Sequence, residues 1–283
     1  MPNIDLQHFK TYGYAAVKNV FSKDEVLHLR EHLGKVKHRA LQTNSFETDP
    51  KCPNLRLILG DVLSHQELAP LDYVLLDDRI LAIARQILGP QLVYFGDSSI
   101  QAGEGIRGFH KDNVDRTDPN GPDWRGEYQL IRFGIYAQDH SHHSGGLKIR
   151  LKSHNFCSNH LGRAVNLATE SGDVVVWYLR TTHSGNNVRI RYMPDLCMHP
   201  RIETLMPYSW RVPEELERFA VFGTFAAPGD HLERYLKYME GRSDYRPHLL
   251  RGGWNTDLHE FLRRKNVEMR KPIEDFGQLQ DTA

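Results

Sequence analysis

The sequence predicts a mainly β protein, a sandwich or barrel core flanked by helices, and three observations predict it. Between about residues 92 and 200, short strand-like runs alternate with Gly, Asp, Asn and Pro clusters, the pattern of antiparallel all-β cores. On either side of that stretch the apolar spacing becomes that of amphipathic helices. No internal repeat, low-complexity segment or strong linker interrupts the chain, so one domain spanning 1–283 is expected.

The elements follow in order. Tyr14 to Val20 reads as a strand, and Ser22 with Glu25 forms a capping box for a helix whose Val26, Leu29 and Leu33 share a face. From Lys35 to about Ala69 the pattern is irregular, and Pro50 and Pro53 in a polar stretch predict a loop. Asp78 to Leu88 predicts a second helix, with Ile80, Leu81, Ile83, Ala84, Ile87 and Leu88 as its apolar face and Gly89-Pro90 as its stop. The strand runs are LVYFG, SSIQAG, YQLIRFGIYAQ, GLKIRL, DVVVWYL and VRIRYMP. Past Pro200 the chain reads as helix again. PEELERFAVFG comes first, then DHLERYLKYMEG capped by Asp230, then TDLHEFLRRK capped by Thr256. These terminal helices are expected to buttress the β core, to carry specificity, or to form a homodimer interface.

Composition narrows the function. Lys+Arg at 36 balance Asp+Glu at 36, which gives no bulk charge for nucleic acid or an anionic membrane. No window approaches the roughly 18 consecutive apolar residues of a membrane span, and the opening MPNIDLQHFKTYGYAAV lacks the pattern of a signal peptide. A cytoplasmic protein acting on a small molecule is the expectation. Cys52, Cys157 and Cys197 are odd in number and scattered, which suits free thiols better than disulfides, and none has zinc-site spacing.

Two stretches carry chemistry. GFHKDN supplies His110 and Asp112, and GDVVVWYLRTTHSGN supplies His183 after a β-branched and aromatic strand. Residues two apart on a strand point to one side, so His110 and Asp112 can reach one metal if GFHKD is extended or leads into a turn. Two His and one carboxylate form the facial ligand set of non-haem iron(II), which leaves positions open for an oxidant and a co-substrate.

With these motifs placed, the chain resembles the phytanoyl-CoA dioxygenase family of Fe(II)- and 2-oxoglutarate-dependent oxygenases. YGYAAVKNVFSKDEV is similar to that family's opening strand and helix, and FGIYAQDHSHHSGGLKIRLKSHN to its central segment, with Lys152-Ser153-His154 where a Gly-Ser-His is usual. The resemblance implies a double-stranded β-helix, or jelly roll, with His110, Asp112 and His183 at its open mouth. It implies Fe(II), 2-oxoglutarate and O2 as cofactor and co-substrates, and hydroxylation of a small organic substrate with release of succinate and CO2. The carboxylate at 112 favours hydroxylation over halogenation, since related halogenases replace it with a small residue. Desaturation, cyclisation or halogenation by the same chemistry remain alternatives, as does a non-catalytic or cupin-like metal-binding jelly roll.

A 2-oxo diacid also needs a cation for its distal carboxylate, for which arginine is suited. Arg191 and Arg189, two apart on the strand expected after His183, are the candidates, with Arg191 preferred; Gln101 resembles the family's upstream amide. Arg107, Lys111, Arg132 and Arg180 flank the motifs and could meet an anionic substrate. His140, His142 and His143 precede Ser144-Gly145-Gly146 and read as an exposed loop, not a second metal site. Alternation in Lys148 to Lys152 reads as a strand with one wet face. Trp177 and Tyr178 read as core or barrel lining. Arg263, Arg264 and Lys265 end a helix, where positive charge suits the dipole.

Overall fold

The computed structural model describes residues 2–43, 47–49, 52–64, 71–103, 108–203, 205–242 and 256–270. The chain begins α1 (Leu6–Tyr12), β1 (Tyr14–Val17), α2 (Lys23–Gln42), β2 (Glu47–Asp49), β3 (Cys52–Gly60), α3 (Asp72–Leu75), α4 (Asp78–Leu88), β4 (Leu92–Tyr94) and β5 (Ser98–Ala102). It continues β6 (Leu130–Tyr136), β7 (Lys148–Arg150), β8 (Ala164–Asn166), β9 (Val174–Tyr178), β10 (His183–Ser184), α5 (Pro200–Glu203), β11 (Phe219–Ala226), α6 (Asp230–Glu240), α7 (Thr256–Arg264) and β12 (Val267–Met269).

Local signals account for much of this. Ser22 Oγ accepts from Glu25 N–H while Glu25 Oε2 accepts from Ser22 N–H, so the capping box forms, and α2 buries Val26, Leu29, Leu33, Val36 and Ala40 along one face. In α4, Asp77 caps the first turn and Gly89 follows the last. Gly172, at φ +98°, makes the turn into β9, where an added Cβ would lie 2.1 Å from the Phe21 carbonyl oxygen.

Two sheets, antiparallel except for the parallel β4–β12 pair, face each other. The larger has the order β1-β9-β6-β11-β5-β3-β2, with β4 beside β11 and β12 beside β4; the smaller has the order β10-β7-β8 and is extended by a bridge from His110 to His183. Register divides the larger sheet's side chains into two sets. Arg132 pairs with Trp177 and Thr224, Gly134 with Val175 and Phe222, and Ala220 with Tyr136 and Gln101, so these residues share the inner face. There Tyr136, Trp177, Val175, Ala220 and Phe222 pack with Leu147, Ile149 and Leu167 of the smaller sheet region. The outer face, including Phe133, Ile135, Val176, Val221 and Phe225, joins the apolar stripes of α2, α4, α6 and α7 in the main core. The apolar stripes of α6 and α7 are therefore spent on their own sheet: Leu232, Tyr235, Leu236, Met239, Leu258 and Leu262 are all buried.

Several sequence expectations are corrected here. The helix expected over PEELERFAVFG does not form: its first six residues are irregular, and from Phe219 the chain is β11, a strand buried along its whole length between β6 and β5. Eight consecutive residues, FAVFGTFA, suit a strand covered on both faces, and this burial overrides the helical spacing of the preceding glutamates. The loop expected from Lys35 to Ala69 includes the end of α2 and the β2–β3 pair; Pro50 lies outside the described residues, whereas Pro53 falls in β3. VRIRYMP forms no regular strand, and Ile190 makes only isolated bridges to Met193 and Arg211. The Lys148 to Lys152 alternation has no wet face at its first position. Lys148 is fully buried and forms an ion pair with equally buried Glu203 of α5, so the segment between β10 and β11 covers the outer side of the smaller sheet. Burial pushes the Lys148 pKa down and that of Glu203 up, each opposed by its partner.

Removing one member of a buried ion pair strands the other charge. Lys148→Met is expected to lower the unfolding free energy by about 3–5 kcal/mol, and Lys148→Met combined with Glu203→Leu to restore most of it. Urea denaturation of the two variants checks this; equal losses in both would show that the pair contributes more than mutual neutralisation.

Candidate metal centre

Backbone pairing assembles the centre. His110 N–H donates to His183 O at 3.0 Å and His183 N–H returns to His110 O at 2.9 Å, which sets the two imidazoles side by side on the inner face. Their ring centroids lie 4.4 Å apart. Asp112 N–H is held by Leu179 O at 2.9 Å, so the chain stays extended through the HxD and both side chains project the same way. Asp112 Oδ1 lies 3.7 Å from His110 Nε2, and Asp112 Oδ2 lies 3.5 Å from His183 Nε2. One ligand atom from each of the three residues falls within 4.8 Å of the others.

The donor set fits a divalent transition metal. His110 Nδ1 sits 2.8 Å from Gly108 O and His183 Nδ1 3.1 Å from Thr181 O. A carbonyl can only accept, so each Nδ1 carries the proton and each Nε2 presents a lone pair toward the shared point. Two neutral imidazoles and one carboxylate are the facial set suited to iron(II).

The centre opens into a cavity between the sheets, with about 470 Å³ of open space counting its mouth, lined by Gln101, Arg132, Tyr136, Leu147, Trp177, Asn186, Arg218 and Phe222 together with His110 and His183. Of the sequence candidates, His110, Asp112 and His183 come together and Gln101 lines the same cavity. Arg189 and Arg191 do not line it. Arg189 is buried and donates to the carbonyls of His140 and Ser141, while exposed Arg191 donates from Nε to Arg211 O. The expected strand that was to aim one of them inward is absent.

A different arginine occupies that place. Arg218, just before β11, is buried, donates from Nε to Gly145 O at 3.2 Å and lies 5.7 Å from the Tyr136 ring centre. Among the described residues it has no carboxylate in ion-pair contact; burial pushes its pKa below the ordinary arginine value, opposed by Tyr136 and, from a longer distance, by Glu214. Beside it, burial pushes the Tyr136 phenol up to about 12 against the lowering effect of the Arg218 guanidinium, and the buried Trp177 indole N–H has no hydrogen-bond partner. The sequence signal for Arg218 was its position before an eight-residue apolar run, which the helical reading of that run hid.

The other cations serve different ends. Lys111 points away from the centre, as its place between His110 and Asp112 requires; its Nζ donates to Ser153 O and Arg180 O, and burial pushes its pKa down to about 7. Arg180 donates to Asp123 O and lies over Tyr128. Arg132 joins Asp112 to Asp97, and Arg107 lies outside the described residues. The loop expected to expose three histidines buries His140 completely, against Gln138, Thr169 and Tyr136, and leaves only His142 exposed.

No protein-family model matches the chain, and no curated protein does. Solved structures match it. HygX from Streptomyces hygroscopicus, with nickel, 2-oxoglutarate and hygromycin B bound, has a TM-score of 0.54 at 17% identity, over 78% of this chain and 86% of that one. SnoK, a non-haem α-ketoglutarate-dependent carbocyclase from nogalamycin biosynthesis, has a TM-score of 0.55 at 15% identity, over 78% and 82%. EctD from S. alaskensis, in its apo form, has a TM-score of 0.53 at 18% identity, over 78% and 75%. The fold is the jelly roll. At these identities the likeness concerns the fold alone, and the chemistry rests on the site. Among the described residues no helix is long and apolar enough to cross a membrane.

Burial holds His140 near a pKa of about 3 and His154 near about 4, desolvation being the main cause of both. Both values lie below the ordinary histidine value of about 6.5, so unfolding takes up protons as pH falls below that point. Stability is therefore expected to be unaffected by these two groups above pH ~6.5 and to fall below it, by up to about 1.4 kcal/mol per pH unit for each. Urea midpoints from pH 8 to pH 5, compared between the native chain and His140→Gln, check this: the variant should lose one proton's share of the slope.

Proposed function

We propose that this chain is a divergent relative of the phytanoyl-CoA dioxygenase family that binds Fe(II) through His110, Asp112 and His183 and uses 2-oxoglutarate and O2 to oxidise a small organic substrate. The observation that carries the reading is a buried arginine with no carboxylate in ion-pair contact, in the same cavity as a His-Asp-His set. Glu214 acts on this guanidinium only from beyond ion-pair distance; a buried guanidinium without an anion in contact is costly, and a dicarboxylate reaching from the metal into the cavity supplies one.

The assignments follow the walls of the cavity. His110, Asp112 and His183 would hold the metal and leave further coordination positions to ligands. Arg218 receives the distal carboxylate of 2-oxoglutarate by charge-assisted hydrogen bonds, with the Tyr136 hydroxyl as a second donor and Gln101 on the neighbouring strand. Trp177, Phe222 and Leu147 give the cavity apolar walls that exclude water from the bound co-substrate. The iron, when bound, supplies the redox chemistry that couples decarboxylation of the 2-oxo acid to oxidation of the substrate.

Hydroxylation is the outcome we assign. Asp112 fills the ligand position that halogenation needs for chloride. Cyclisation and epimerisation draw on the same cofactors, as the carbocyclase SnoK and the α-ketoglutarate-dependent epimerase SnoN, both of similar fold, illustrate. Product mass separates these outcomes, since only hydroxylation adds an oxygen atom.

Anaerobic titration of the Fe(II)-loaded protein with 2-oxoglutarate is expected to produce the weak metal-to-ligand charge-transfer band near about 500 nm of a chelated 2-oxo acid. His183→Ala should abolish it. Arg218→Met should weaken 2-oxoglutarate binding about 10- to 100-fold, the effect of losing charge-assisted hydrogen bonds, while Arg189→Ala and Arg191→Ala should leave it within about 3-fold, as expected of residues outside the cavity. Absence of the band in the native chain with iron bound would overturn the reading.

A further inference from the structure

Behind the metal-ligand carboxylate lies a second carboxylate, joined to it through one guanidinium. Arg132 on β6 donates from Nη1 to Asp112 Oδ2 at 2.8 Å, from Nη2 to Asp97 Oδ2 at 2.5 Å and from Nε to Thr224 Oγ1 at 3.0 Å. Asp97 Oδ2 also accepts from the Thr224 hydroxyl at 2.8 Å and the Tyr235 hydroxyl at 3.1 Å. The Asp97 backbone oxygen accepts from Thr224 N–H at 2.9 Å, which ties the turn before β5 to β11. Asp97, Thr224 and Tyr235 are all buried, with Tyr235 reaching in from α6. Burial alone would weaken the charge on Arg132, and the two carboxylates reverse that and raise its pKa.

The arrangement poses a charge problem and answers it. An arginine bonded to a metal-ligating carboxylate orients it, but it also places a positive charge close to a divalent cation and draws negative charge from the ligand. A second carboxylate on the far side of the guanidinium cancels that charge without disturbing the orienting bond.

We propose that Asp97 and Arg132 are positioning residues for Asp112: Arg132 occupies Oδ2 with a hydrogen bond and so favours Oδ1 as the single ligand oxygen, and Asp97 neutralises Arg132 so that Asp112 keeps its full charge for the cation. Single-oxygen coordination keeps open the positions that a chelating co-substrate and O2 need. Tyr235 and Thr224 lock Asp97 in turn, which extends the metal's support from the smaller sheet through the larger one to the outer helix layer. This proposal rests on the metal reading of the His-Asp-His set.

Co(II) under anaerobic conditions is the probe, with affinity read by competition against a chromophoric chelator and coordination by the d–d absorption spectrum. Asp97→Asn leaves the guanidinium uncompensated and is expected to weaken Co(II) binding about 10- to 100-fold, the usual effect of losing a supporting partner. Asp97→Asn combined with Arg132→Met removes the stranded charge, so affinity should recover part of the way while the d–d spectrum departs from the native one as Asp112 becomes free to bind through both oxygens. Thr224→Val, nearly isosteric, tests the lock should Asp97→Asn fail to fold; it should cost about 3- to 10-fold in affinity, the effect of losing one hydrogen bond. Native affinity and a native spectrum in variants that merely melt earlier as apo-protein would reduce the network to a fold support and overturn the proposal. A native chain that takes up no Co(II) or Fe(II) would instead overturn the metal reading itself, so the two failures are told apart.

Discussion

Everything at the centre depends on one pair of backbone hydrogen bonds, those between His110 and His183. Because cross-strand partners in an antiparallel pair share a face, this bridge places both imidazoles inside the jelly roll and sends Lys111 out of it. A slip of one residue would turn both rings outward and bring Phe109 and Ser184 in. The same rule orders the rest of the smaller sheet. His183 pairs with Ile149, which packs against the inner core, and Ser184 pairs with Lys148, which meets Glu203 on the opposite side.

Charge burial is the second constraint, and the structure meets it in two different ways. Arg132, Asp112 and Asp97 form a connected network in which each charge has a partner, so that part of the cavity is stable as it stands. Arg218 is buried with a carbonyl at one nitrogen and an aromatic ring beside it, a poorer environment that a bound carboxylate would improve. One end of the cavity is thus pre-organised and the other is poised for a ligand.

The segment between β10 and β11 separates the metal ligand His183 from Arg218 in sequence, while the sheets bring both to one cavity. The segment's two ends line the cavity, through Asn186 and Arg218, and its middle runs elsewhere. Glu203 pairs with Lys148 and accepts from Val188 N–H, and Leu196 O accepts from Asn166 of β8, so it lies along the outside of the smaller sheet as a third layer. Its outer side keeps Tyr192, Leu205 and Tyr208 exposed.

What the sequence determined by itself was whatever short-range physics controls. The Ser22–Glu25 box and the Asp78–Leu88 helix depend on neighbours within a few residues, and both are legible in the chain. The three metal-ligand candidates were legible for the same reason, since two sit two residues apart in one short motif and the third follows an unmistakable apolar run. Tertiary structure alone decided the rest. Whether FAVFGTFA is helix or strand depends on β5 and β6 being available on either side of it, and that decision moves Arg218 into the cavity. Whether Lys148 is wet depends on α5 arriving from a distant part of the chain. Whether Arg132 meets a substrate or Asp97 depends on a register shared by β6, β11 and the turn before β5. A side chain's partner across a sheet is fixed by non-local pairing, and local periodicity carries no information about it.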